Sequence, residues 1–230
     1  MARVFPDLET SGDACLPTAT DQSVSAAARA YRVLTGVLPE AAITEEGAAF
    51  DRHVLASIIA LASTESGGLP ARTGLSAADL EDVSARGFPG LKILGSCQVG
   101  PSLIDTDEME VVRDLFLANR SSEGDCGRWF AAMMARRALE PNHLWEDLGL
   151  RERSELTRLI SRHFAPLAVR NDKNMRWKRF IYRMMCEDDG FVMCSSPVCS
   201  NCADYSLCFG AETGTSRVAS AARAPGTTAV

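Results

Sequence analysis

Five of the eight cysteines in this 230-residue chain fall within the 23 residues from Cys186 to Cys208. No other feature restricts the fold so tightly. From Glu187 to Phe209 the chain is Cys, Ser, Pro, Asn, Asp and Gly with scattered apolar residues, and the helical patterning that precedes it stops. A stretch of that length with no element of its own, inside a compact region, needs something else to hold it. The spacing Cys194-x4-Cys199-x2-Cys202-x5-Cys208 supplies a candidate, because three close thiols and a fourth one turn later can converge on one centre. The x2 link puts two sulfurs on neighbouring corners, and Pro197 stiffens the x4 link.

Thiolates are soft ligands that select zinc, Cu(I) or iron–sulfur clusters over hard cations. Structural zinc usually takes paired C-x2-C units, whereas C-x4-C-x2-C followed by a more distant cysteine is an iron–sulfur type of spacing. Spacing therefore favours a cluster and leaves zinc as the alternative. Cys186 is a candidate fifth ligand or transfer thiol, and a packing role beside Met184 and Met185 is equally open. Cys15, Cys97 and Cys126 are scattered and read as isolated residues. The N-terminal MARVFPDLETSGDAC has no apolar core of the secretory kind, so the expected compartment is the cytoplasm, where thiols stay reduced and ligate metals.

The remainder reads as all-α: a compact multi-helix domain followed by the Cys-rich metal-binding loop. Phe50, Val54, Ile58 and Leu61 repeat at spacings of three and four. Trp177, Phe180, Ile181, Met184 and Met185 do the same. Other helices are expected over Val24–Leu34 with a stop at Gly36, from Ser76 to Gly87, from Thr106, over Trp129–Leu139, and around Leu156–Phe164 with an end at Pro166. No segment alternates long enough to be a strand. The expected organisation is a disordered segment at 1–22, one helical domain at 23–210 with the cysteine loop at 186–210, and a disordered tail at 211–230. The longest apolar run, Val54 to Ala62, is far short of the roughly 20 residues that span a bilayer, so no membrane partner is expected.

Charge is unevenly spread. The net value is −6, yet residues 128–183 carry +7 and the rest −13. The helix entering the cysteine loop holds Arg170, Lys173, Arg176, Lys178, Arg179 and Arg183. Such a helix can offset a thiolate cluster and focus an incoming anion, bind nucleic acid with Trp177 or Tyr182 stacking, or present a solvated basic face. His163 lies on an apolar stripe, where a hydrogen-bonded packing histidine is the usual finding. Glu187, Asp188 and Asp189 offer oxygen ligands or a solvated turn. GGLPARTG lacks the ending of a phosphate loop, no His-x3-His pair exists, and no Ser-His-Asp arrangement is visible.

The runs PNHLWEDLGL (141–150), LTRLISRHFAPLAVRN (156–171), MRWKRFIYRMMCE (175–187) and MCSSPVCSNCADYSLCFG (193–210) resemble the NifQ family. FDRHVLASIIALA, GLPARTGLSAADL and GFPG extend the likeness more weakly into the first half. The resemblance implies a molybdenum donor for assembly of the iron–molybdenum cofactor in nitrogen fixation. It implies an iron–sulfur cluster that can incorporate molybdenum, held by Cys194, Cys199, Cys202 and Cys208. Molybdate or another molybdenum source is the implied input. The nitrogenase cofactor-assembly scaffold and nitrogenase reductase are the implied partners, and the implied role is carriage rather than enzymatic turnover. Two rivals stand beside it. One is a helical nucleic-acid-binding protein with a structural [4Fe–4S] loop, although iron–sulfur DNA glycosylases use C-x6-C-x2-C-x5-C and a Gly-rich hairpin absent here. The other is a zinc-stapled interaction module.

Overall fold

The computed structural model describes residues 24–89, 106–188 and 199–219. The expected disordered segment at 1–22, together with Cys15, Cys97, Cys194 and residues 220–230, lies outside the described residues. Among the described residues all regular structure is helical, and no helix is long and apolar enough to cross a membrane.

α1 (Ala26–Thr35) and α2 (Gly47–Ser63) pack as neighbours. Ser25 caps α1 through its side chain, and Gly36 ends it at φ 85°, sending its N–H to the Arg32 carbonyl at 2.8 Å. A left-handed residue after a helix favours glycine because it has no Cβ to clash. α2 is buried from Phe50 to Ala62 apart from Arg52, and Phe50, Val54, Ile58 and Leu61 form the centre of the core. α3 (Gly68–Thr73) and α4 (Ala77–Gly87) follow. α4 opens with the reciprocal hydrogen bonds of Ser76 and Asp79 that their spacing suggests.

α5 (Thr106–Ala118) lies along α6 (Cys126–Ala138), whose Trp129, Phe130, Met133 and Met134 complete the central layer. α7 (Leu144–Asp147) is a single turn connecting α6 to α8 (Arg153–His163). The expected stop at Pro166 is displaced. α8 ends at His163, and Pro166 sits in the first turn of α9 (Ala165–Arg170), where its missing N–H costs nothing. α10 (Trp177–Asp188) packs on α5 and buries the expected stripe of Trp177, Phe180, Ile181 and Met184. α11 (Tyr205–Phe209) and a 3-10 turn at Cys199–Asn201 give the cysteine segment short elements of its own.

Residues 211–219, expected to begin a disordered tail, instead strap the bundle. Val218 is 0% exposed. It lies so close to Gly149 that a Cβ there would meet its Cγ2 at 2.5 Å. Arg217 bonds Asp147 at 3.1 Å and Glu65 at 2.8 Å, and the Ser25 hydroxyl donates to the Ala219 carbonyl at 2.8 Å. One apolar anchor and one cation in a run of small polar residues generate no period, which is why composition misreads this stretch.

Candidate metal centre

The cysteine segment is attached to the bundle at its downstream end by one residue. Arg176, just before α10, donates its backbone N–H to the Cys208 carbonyl at 2.8 Å. Its guanidinium donates from Nε to the Gly210 carbonyl at 3.1 Å and from Nη2 to the Ala211 carbonyl at 2.8 Å. Cys208 and Phe209 consequently rest, partly buried, against the core. Upstream, Cys202 donates its N–H to the Cys199 carbonyl at 3.1 Å, so these two residues share one tight turn. Tyr205 continues it by donating to Cys202, also at 3.1 Å. Cys186 lies in the last turns of α10.

Cys186, Cys199, Cys202 and Cys208 are all partly exposed, and none is in a disulfide. Thiols with that accessibility on a polar segment have the donor chemistry a thiophilic metal centre needs. Among the described residues no three His, Cys, Asp or Glu side chains lie close enough to hold a metal ion together. Cys194, the fourth member of the motif, lies outside them. Glu187 accepts from Arg183 Nε at 2.6 Å, which commits it to its own helix.

Most of the cations of the basic stretch at 128–183 are spent on internal pairing. Arg136 meets Glu140, Arg137 meets Glu65, Arg151 meets Glu155, Arg162 meets Asp51 and Lys178 meets Asp147. Three of these pairs lie within the basic stretch, and two, Arg137 with Glu65 and Arg162 with Asp51, tie it to acidic residues of the first half. Trp177 is buried with its indole N–H on Thr157 at 3.1 Å, and the Tyr182 hydroxyl is held by Glu108. Trp177 is therefore not presented for base stacking, while Tyr182 is half-buried.

Two carboxylate–histidine relays, unseen in the sequence, lie two residues apart on α2. Asp51 takes a two-pronged contact from Arg162, with Nε at 2.9 Å and Nη2 at 3.1 Å, and bonds His163 Nε2 at 3.0 Å. His163 Nδ1 meets the Ser122 hydroxyl at 2.8 Å, and its ring packs on Phe130. A Ser-His-Asp arrangement therefore exists, contrary to expectation, formed by Ser122 and Asp51, 41 and 112 positions from His163. Burial pushes the Asp51 carboxyl up, but the hydrogen bonds from His163 and Arg162 outweigh it and hold the group below its usual range. In the second relay, Tyr31 bonds His53 Nδ1 at 2.6 Å, and His53 Nε2 meets Glu155 at 3.3 Å. Burial raises the Tyr31 hydroxyl to about 12, so it is the proton donor of that pair. The relays lock α1, α2 and α8 together. His163 is the hydrogen-bonded packing histidine expected of it.

The NifQ family model matches residues 54–210, from the middle of α2 to just past Cys208. A NifQ homolog of Sinorhizobium fredii is 38% identical over 178 residues, covering 73% of this chain and 75% of the relative. The NifQ protein of Rhodobacter capsulatus is 42% identical over 148 residues, covering 62% of this chain and 78% of the relative. That of Klebsiella pneumoniae is 34% identical over 155 residues, covering 62% of this chain and 89% of the relative. No solved structure matches the chain. A family match over well over half of the chain, ending where the cysteine segment is anchored, establishes that this chain belongs to the NifQ family.

Proposed function

We propose that the protein serves nitrogen fixation as an iron–sulfur molybdenum carrier, supplying molybdenum for assembly of the iron–molybdenum cofactor. Cys194, Cys199, Cys202 and Cys208 are the proposed cluster ligands, with Cys186 as a further thiol within the same segment. The observation that carries the reading is the state of the thiols at 199, 202 and 208: unbridged, partly exposed, and tethered to the bundle through Arg176. Bound there, a cluster would supply bridging sulfide, the environment molybdenum must enter on leaving its oxyanion. The chain's own part is to present soft donors at the surface, where cargo can be received and released. Release makes the role carriage rather than turnover. The cofactor-assembly scaffold and nitrogenase reductase are the proposed recipients, in the cytoplasm.

The test is metal and sulfide analysis of protein purified without oxygen from cells given molybdate, beside the variant Cys202→Ala. Iron, sulfide and molybdenum together, lost in the variant while its helical circular dichroism is kept, are the expected result. One zinc per chain without sulfide would replace the carrier with a stapled helical module. Full cluster content in Cys202→Ala would move the site elsewhere. The nucleic-acid reading is weaker with Trp177 buried, because one of its two stacking residues is in the core.

A further inference from the structure

Beside Cys208 the structure opens a polar cavity of about 520 Å³. Its walls are the turn before α7, the first turn of α10 and the strap at 212–215. Three cations contribute to it: Arg176, Lys178 and Arg179. Two of them have other duties. Arg176 holds the Gly210 and Ala211 carbonyls, and Lys178 holds Asp147 at 2.7 Å. Arg179 is exposed and forms no ion pair among the described residues, so its full charge is available to a ligand. Thr213 and Thr215 also line the cavity and carry hydroxyl donors.

Two carboxylates face the same space and are already engaged. Glu146 accepts the His143 backbone N–H at 3.2 Å. Glu212 lies 3.7 Å from Arg153 and 3.9 Å from His143. With Lys178 paired to Asp147 and Glu212 paired to Arg153, Arg176 and Arg179 face Glu146 alone, which leaves the cavity electropositive by one charge. A small anion rich in hydrogen-bond acceptors fits that balance, whereas an apolar ligand or a bare metal cation does not.

We propose that this cavity binds a tetrahedral oxyanion, taken as molybdate, next to the cysteine segment. The assignment of molybdate rests on the carrier reading above. Arg176 belongs to both places, since one face of it lines the cavity and its backbone N–H holds Cys208. The anion would therefore wait within one residue of a proposed cluster ligand, and Arg179 would supply the charge that captures it.

The experiment is equilibrium dialysis of cluster-free, full-length protein against molybdate at low ionic strength, with tungstate, sulfate and phosphate as competitors and Arg179→Glu as the variant. Arg179 is exposed and outside the core, and circular dichroism verifies that the variant folds. The expected result is about one molybdate per chain, displaced by tungstate far better than by phosphate or sulfate. Arg179→Glu should weaken binding at least tenfold while iron and sulfide loading after anaerobic reconstitution stays at the wild-type level. Three outcomes would overturn the proposal: no molybdate retained by protein that still loads its cluster, equal affinity in Arg179→Glu, or equal displacement by phosphate. Failure of the carrier reading is separate, because it appears as absent iron and sulfide whatever the dialysis shows.

Discussion

Asp147 is the residue on which the strap, α7 and α10 converge, and Asp147→Asn measures what that convergence contributes. The carboxylate is 0% exposed. It accepts from Lys178 Nζ at 2.7 Å, Arg217 Nη1 at 3.1 Å and Asn142 Nδ2 at 2.9 Å. The asparagine side chain keeps the shape and removes the charge, leaving Lys178 and Arg217 each facing an amide. Breaking a fully buried ion pair costs about 3–5 kcal/mol. Both cations retain some access to water, with side chains 19% and 29% exposed, so the lower end applies. About 3 kcal/mol in a domain of this size lowers Tm by roughly 6–12 °C. Thermal unfolding by circular dichroism reads the shift, and adding Lys178→Met tests the cause. Since that change removes one of the stranded cations, the double variant should lose less than the sum of the two single losses, by about 0.5–3 kcal/mol. A Tm change under about 2 °C, or strict additivity, would refute the argument that Asp147 holds these elements together electrostatically.

Three further outcomes follow from named contacts. Gly149 sits at φ 71° against Val218 and the Ser57 carbonyl, so Gly149→Ala should destabilise the fold by about 1–3 kcal/mol and expose the strap to limited proteolysis; unchanged denaturant and protease profiles would show that the strap does not depend on this approach. The depressed Asp51 carboxyl adds stability that is fully present above the usual aspartate value of about 3.9 and is lost as pH falls through its lower folded value. Acid titration of unfolding should therefore give a shallower loss of stability below about pH 4 in Asp51→Asn than in the wild type, and identical slopes would refute the assignment. Burial, then the Asp51 carboxylate, pushes the Cys126 thiol up, so in cluster-free protein iodoacetamide should label Cys126 several-fold more slowly than Cys199 and Cys202, as read by peptide mass spectrometry.

The helices that the sequence made legible are those whose burial is one-sided or capped by short-range chemistry. α10 shows its stripe because one face packs against the bundle while Arg179 stays exposed on the other. α4 is bounded by Ser76 and Gly87 because capping is a matter of three or four residues. α7 and α9, of four and six residues, are too short to express a 3.6-residue period, and α9 hid behind a proline that usually ends a helix. At the candidate centre the cysteine spacing was legible, since ligand chemistry is written in residue type. The Arg176 clamp was not, because its guanidinium bonds main-chain carbonyls, which every residue carries alike. The same limit hid the Ser122–His163–Asp51 relay, whose three members are brought together only by the packing of α2, α8 and the turn before α6.

A metal carrier has to reconcile two opposed demands on one segment: ligands close enough together to retain cargo, and exposed enough to give it up. The anchoring seen here separates them. Arg176 fixes the chain at Cys208 and the two carbonyls after it, and the strap beyond is secured by Arg217 and Val218. On the other side, α10 carries the chain to Asp188 with its apolar face in the core. With both ends fixed, holding the residues between them costs less conformational entropy than ordering a loop that is free at one end, and the closure cost grows only slowly with length. Tyr205 and Leu207, 48% and 45% exposed beside Cys208, keep the outer surface of that segment in solvent. Under the carrier reading, retention comes from the anchors and release from the surface, so a substitution at either anchor should loosen the metal without moving the thiols' exposure. Under that reading Arg176 has a role no cluster ligand can play: it would set how firmly the cysteine segment is held while contributing no bond to the cluster.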